Sequence, residues 1–224
     1  MQHIYYLVKI NKSLNKSAEL LKQSIDLDKN FSKPHAALAL NKNLMGYFED
    51  AEEHLDIAFE IARTNNDDES LSIVYNNYGL IYKEQKRFQK AIKFFHKGLS
   101  VQKKLQNEQL YANLLHNMST CYGFSGQNNR WLNYLEQSQR IYHKLELNDR
   151  LGNSYGTMGN AYKSSENYSE AINYYDKAKA IFLSENMTYN YAQTLLIQSE
   201  CYLNLKKFKM AVDNLNEAIE IAKD

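Results

Sequence analysis

The stretch that decides the fold is Asn76–Phe95, NNYGLIYKEQKRFQKAIKFF. Its apolar residues fall at helical spacing on both sides of the polar segment Glu84–Arg87. That pattern predicts two amphipathic helices joined by a short turn. Gly79 interrupts the first of them, and a glycine in a helix interior costs about 1 kcal/mol relative to alanine. A glycine kept at that cost needs a compensation, and the stretch alone does not supply one.

The rest of the chain does, because the pattern returns every 40 residues. Tyr82 recurs as Tyr122, Tyr162 and Tyr202, and Gly79 as Ala39, Ser119, Gly159 and Ser199. Ala91 recurs as Ala51, Trp131, Ala171 and Ala211, Phe95 as Leu55, Leu135, Tyr175 and Leu215, and Gly98 as Ala58, Ser138, Ala178 and Ala218. Ile61, Val101, Ile141, Ile181 and Ile221 form a further apolar register. A fixed period of this size is the mark of a repeat architecture. Paired helices lie about 8–10 Å apart, and the closer end of that range needs small residues at the crossing. Gly79 and Ala91 are therefore expected where the two helices of one unit cross, with Tyr82 and Phe95 filling the space beside them. Gly98 is expected where the second helix meets its neighbours. Trp131 breaks the register, and Ser119, Gly123, Gly126 and Ser138 are the small residues expected to make room for it.

The motif resembles the tetratricopeptide repeat, with its W-x2-L-G-x2-Y and A-x3-F signature. In one unit it reads Tyr75, Tyr78, Gly79, Tyr82, Ala91, Phe95 and Gly98; in the best-matching unit, Tyr155, Met158, Gly159, Tyr162, Ala171, Tyr175 and Ala178. The resemblance implies an all-α, right-handed superhelical α-solenoid of about six helix-turn-helix units. It covers residues 1–224 as a single repeat domain, with units starting near 1, 32, 72, 112, 152 and 192, the first of them shorter. The terminal proline of the motif is missing, and the long period looks like the extended form found in bacterial peptide-sensing regulators and in eukaryotic cargo and polarity adaptors.

In that family the first helix of each unit, helix A, lines the concave surface. The resemblance therefore places the candidate groove at Asn76, Asn77, Leu80 and Lys83 in one unit and at Asn113, His116, Asn117 and Thr120 in the next. Asn153, Thr157, Asn160 and Lys163 follow in the third, and Ile197 and Glu200 in the last. A carboxamide carries two donors and an acceptor, so a row of them can grip both edges of an extended peptide backbone. Leu80, His116, Phe124 and Ile197 would supply selectivity. The competing reading is that an asparagine-rich chain presents solvated side chains there. The two-carboxylate clamp of chaperone-binding relatives is missing, since Asn76, Leu80, Asn117, Asn153 and Thr157 stand where it needs cations and asparagines in its own order.

A formal net charge of +1 removes the electrostatic warrant for a nucleic-acid or anionic-membrane partner. No apolar stretch approaches the roughly 18 residues that span a bilayer, and MQHIYYLVKINKS has too short an apolar run for a signal peptide. Cys121 and Cys201 fall two units apart in the same register, too far for a disulfide, and read as small core residues of a cytoplasmic protein. Six scattered histidines form no metal-ligand pattern, so no metal or other cofactor is expected. No nucleophile elbow, dinucleotide loop or phosphate loop occurs, and no enzymatic activity is expected. The expected function is a scaffold binding a protein or linear peptide, as a regulatory or sensor module of a bacterial signalling protein. The alternative is a passive assembly adaptor working through its convex face or terminal helix. Met210, Val212 and Ile219 in that helix are free to pack on something, which suggests a module of a longer protein or self-association.

Overall fold

The computed structural model describes residues 2–126 and 128–223, and side chains at residues 12–126 and 130–223. The described residues form helices only: α1 (Gln2–Leu27), α2 (Ser32–Leu44), α3 (Phe48–Thr64), α4 (Asp68–Glu84), α5 (Phe88–Leu105), α6 (Glu108–Phe124), α7 (Asn128–Lys144), α8 (Asn148–Ser164), α9 (Tyr168–Ser184), α10 (Thr188–Asn204) and α11 (Phe208–Ile221). From α2 onward they fall into helix pairs, and the leading segment contributes one long helix rather than a pair. Helix A starts at 68, 108, 148 and 188, four residues before the unit starts read from the sequence. Asp67 and Asn107 explain two of these starts, since their side chains accept the Ser70 and Leu110 amides at 3.0 Å.

The turns repeat as faithfully as the helices. After α4 the Arg87 amide donates to the Tyr82 carbonyl at 2.8 Å and the Lys86 amide to the Lys83 carbonyl at 2.9 Å. This paired closure needs a left-handed residue between the helices. Gly46, Lys86, Gly126, Glu166 and Lys206 take that conformation at 40-residue intervals, and Asn66, Gln106, Glu146 and Asn186 take it between them. Only Gly46 and Gly126 do so without the Cβ penalty.

The crossings answer the question set by Gly79. A Cβ on Gly79 would lie 2.3 Å from the Phe95 ring, and one on Gly159 would lie 2.5 Å from the Tyr175 ring. Each glycine is the floor on which a buried aromatic of the paired helix rests, and Ala91 and Ala171 are fully buried one turn away. Phe95, rather than Ala91, makes the close approach. Gly98 serves the next interface, where a Cβ would lie 2.9 Å from Leu114. Trp131 is accommodated by Gly123, whose missing Cβ would stand 2.7 Å from the indole. The equivalent residues in other units are Asn43, Lys83, Lys163 and Leu203, so the compensating glycine occurs only where the tryptophan does.

The chain divides into two compact units, Met1–Tyr134 and Leu135–Asp224. In the first, α4 and α5 are locked by Phe95 at 0% exposure, with Ile81 and Leu55 equally buried. In the second, Ala171, Tyr175 and Cys201 form a core against which Tyr162, Tyr168, Ile172 and Ile197 pack.

Candidate functional site

Residues one repeat apart come side by side on the helix-A faces, and in the first unit this turns the asparagines into a chain. The Asn117 amide on α6 donates to the Asn76 carbonyl oxygen on α4 at 3.0 Å. The Asn76 amide donates to the Asn77 oxygen at 3.3 Å, and the Asn77 amide to the Ala36 backbone carbonyl on α2 at 2.9 Å. Asn77 is buried, so it anchors the chain and is not a groove residue, contrary to the sequence expectation. Asn76 and Asn117 are half-buried, and each retains hydrogen-bonding capacity beyond the bonds above. Leu80, Lys83, Asn113, His116 and Thr120 are half-buried on the same helices. The Thr120 hydroxyl donates to the His116 carbonyl at 3.1 Å, which holds it against its own helix.

In the second unit the face is more open and more charged. Asn153 and Asn160 are exposed, with the Asn190 amide donating to Asn153 at 3.1 Å and the Tyr175 hydroxyl donating to Asn160 at 2.7 Å. Lys163 on α8 pairs with Glu200 on α10 at 2.7 Å. The Thr157 hydroxyl donates to the Asn153 carbonyl at 3.0 Å. Ile197 is half-buried in the Tyr175–Cys201 core, so it packs rather than projects. Asn190 and the Lys33–Glu69 pair at 3.1 Å belong to the same cross-repeat pairing and were not foreseen. Reading columns at separations of 36 to 41 residues, the spacings of these pairs, would have found them.

A second concavity lies on the other side of the first unit, between α3 and α5 over α4. It encloses about 390 Å³ and is lined by Asp56, Tyr75, Tyr78, Tyr82, Phe94 and Lys97 among others. The Tyr78 hydroxyl donates to Asp56, and the Tyr82 hydroxyl donates to Glu52 at 2.6 Å. Lys97 sits over Phe94 at 4.9 Å and Lys90 over Tyr82 at 3.9 Å. Burial, then the bond to a carboxylate, holds both phenols well above their ordinary range, so neither serves as a base or nucleophile. The second unit repeats the arrangement 80 residues on, with Lys177 over Tyr174 at 4.6 Å and Tyr162 stacked on Tyr174. Recurrence of Tyr75 as Tyr155, Tyr82 as Tyr162 and Lys97 as Lys177 is the sequence signal for it. The aromatic faces are covered by the protein's own lysines, which marks these clefts as packing devices.

Both cysteines are buried free thiols, and burial pushes the Cys121 thiol up to about 12. Among the described residues no group of three or more His, Cys, Asp or Glu side chains is placed to hold a metal. No described helix is long and apolar enough to cross a membrane.

The profile of the soluble NSF attachment protein family matches residues 57–223, which is 167 of the 224 residues. Among curated proteins, none matches the sequence. Among solved structures, BtubC (BKLC) from P. vanneervenii is similar at 20% identity and a TM-score of 0.72, covering 96% of this chain and 90% of that one. A signal transduction ATPase with numerous domains from Pyrococcus horikoshii, a protein with a tetratricopeptide repeat sensor, is similar at 20% identity and a TM-score of 0.75, over 94% of this chain and 33% of that one. A Rap protein complexed with competence and sporulation factor is similar at 17% identity and 0.74, over 94% of this chain and 65% of that one. The tetratricopeptide-type repeat fold read from the sequence is thus the fold of the molecule.

Proposed function

This chain belongs to the soluble NSF attachment protein family, and on that premise we propose that it is a non-catalytic scaffold whose helix-A faces hold a peptide or protein segment. The observation that carries the reading is the chain Asn117–Asn76–Asn77–Ala36. It engages both ends of Asn76 and Asn77 and fixes the orientation of Asn76 and Asn117, while Asn76 and Asn117 each keep a second amide N–H, and Asn117 its side-chain oxygen, beyond these bonds. Side chains ordered before binding lose less entropy on contact than free ones. A main-chain amide of an extended ligand is what such carboxamides complement. The family name, an attachment protein, describes a protein that works by holding another.

The finer reading is a sensor or regulatory module of a bacterial signalling protein in the cytoplasm. It draws on the same fold serving as a sensor in the signal transduction ATPase and occurring in a Rap protein complexed with a sporulation factor. Neither a nucleic acid nor a membrane belongs to this reading. The test compares wild type with an Asn76→Ala, Asn117→Ala variant in a pull-down from native extract, with the retained proteins identified. Retention of a defined protein or peptide by wild type and its loss from the variant, at unchanged helicity, is the expected result. Equal retention by both removes the helix-A face of the first unit from the function.

A further inference from the structure

Helices α3 and α7 run the same stripe of residues beside the two aromatic clefts, with opposite chemistry. On α3 the stripe holds Asp56, Phe59, Glu60 and Arg63, and 80 residues on, on α7, it holds Glu136, Gln139, Arg140 and His143. The spacing i, i+3, i+4 and i+7 puts each set on one face of its helix. In the first unit this wall is spent internally. The Phe59 ring packs on Tyr75 at 5.9 Å, and the Arg63 guanidinium donates to Glu60 at 2.7 Å. In the second unit a glutamine replaces the ring, and an arginine and a histidine replace the ion pair. Among the described residues no carboxylate pairs with Arg140 or His143. The Gln139 amide nitrogen is buried and has no hydrogen-bond partner there. Tyr155 keeps the place of Tyr75, and the Lys177 ammonium lies 5.8 Å from its ring.

Glu136, Gln139, Arg140, His143 and Tyr155 line a cleft of about 360 Å³. Its aromatic side packs as in the first unit, but its α7 wall offers donors with nothing to donate to. A buried N–H without an acceptor is costly, so the wall is complete only when an acceptor sits against it. We propose that this cleft binds a phosphate monoester through the Arg140 guanidinium, the His143 imidazole and the Gln139 amide. A phosphate presents three strong acceptor oxygens where a carboxylate presents two, and it matches three kinds of donor on one face. The planar fork of an arginine takes phosphate oxygens in pairs, and such charge-assisted bonds are the strong ones. Glu136 lies one turn before Arg140 and opposes the anion, but with Lys177 beside Tyr155 the surroundings stay cationic. The cleft is larger than a phosphate needs and leaves room for the group that bears it. In the first cleft Asp56 and Glu60 stand at the positions of Glu136 and Arg140, so the same chemistry is closed to it. The site uses none of the groove asparagines, and its test is independent of the peptide-holding reading.

The probes are inorganic phosphate, phenyl phosphate and a phosphoserine tripeptide, titrated calorimetrically into the full chain at neutral pH beside their unphosphorylated counterparts. The variants are Arg140→Glu, which restores the charge found in the first cleft, Arg140→Gln and Gln139→Leu. Arg140 is exposed, so folding should be unchanged, and melting curves verify this. The expected result is saturable binding of a monoester to wild type, weakened about tenfold or more by either Arg140 substitution and less by Gln139→Leu. Tighter binding of inorganic or phenyl phosphate identifies a free metabolite as the source, and tighter binding of the tripeptide identifies a phosphorylated protein. No saturable binding, or equal binding to the Arg140 variants, overturns the proposal. A Gln139→Leu chain that melts higher and binds as wild type does overturns the role given to the amide.

Discussion

Gly156 and Gly159 lie one helical turn apart on α8 and have opposite surroundings. A Cβ on Gly159 would meet the Tyr175 ring at 2.5 Å, whereas one on Gly156 would meet nothing within 4 Å. The same contrast marks α4 and α8, where one face is shaped by an aromatic ring from the paired helix and admits no added atom at Gly79 or Gly159. The other carries polar side chains that reach across to the next helix A, as Asn76 and Asn117 do. Stability is concentrated on the first face, which leaves the second open to carry recognition.

The largest effect is expected where the packed face is tightest. Gly79→Ala pushes the fully buried Phe95 ring, and overpacking of this kind costs about 1–3 kcal/mol even after the gain in helix propensity. Denaturant unfolding should show that loss, and Phe95→Leu in the same chain should recover part of it. A Gly79→Ala chain as stable as wild type breaks the comparison.

The converse error is a polar side chain in the packed layer. Gln102 is 1% exposed, and neither its amide nor its carbonyl oxygen has a hydrogen-bond partner among the described residues. The matching positions in three other units are Ala62, Tyr142 and Phe182, all buried, while Ala222 at the end of the last helix is exposed. Gln102→Met should raise unfolding free energy by about 1–2 kcal/mol, because an unsatisfied buried group is costly and an apolar one of similar shape is not.

Asn77 and Asn117 sharpen the contrast within one chain of carboxamides. Asn77→Ala should cost about 1 kcal/mol through the lost buried bond to Ala36, while Asn117→Ala, half-exposed, should cost less. Thermal melts that rank them the other way would move the anchor to the outer end of the chain.

The smallest effect is a pH dependence between α2 and α3. The His35 and His54 rings approach at 3.3 Å between Nδ1 atoms, and burial first lowers both below the ordinary 6.5. Lys22 and Lys42 lower His54 further, and Glu53 and Asp50 oppose that. The folded state binds fewer protons here than the unfolded chain. Stability is therefore full above about pH 6.5 and falls as pH drops through the folded values. His35→Gln should flatten the melting temperature between pH 7.5 and 5.5 relative to wild type.

The packed face was legible because steric demand leaves a periodic trace: Gly79, Gly159 and Gly98 stand in columns of small residues. Gly123 under Trp131 was legible as a paired exception. The open face was less so. Asn76 and Asn77 are adjacent in sequence and indistinguishable in composition, yet the helical rotation between them buries one under α2 and leaves the other half-exposed. The left-handed residues were not legible, because Lys86, Glu166 and Lys206 carry no sequence mark of a conformation that the flanking helices impose. The aromatic clefts on the second-helix side were overlooked because tyrosines in a repeat column read equally well as core.

The most direct test of the two-faced helix adds one methyl group to each face. Gly159→Ala and Gly156→Ala are melted side by side under identical conditions. Opposite signs are expected. Gly159→Ala should lower the melting temperature by forcing Tyr175 aside, and Gly156→Ala should raise it by the roughly 0.5–1 kcal/mol that alanine gains over glycine in a helix. Shifts of the same sign in both variants would contradict the division of helix A into a packed and an open face.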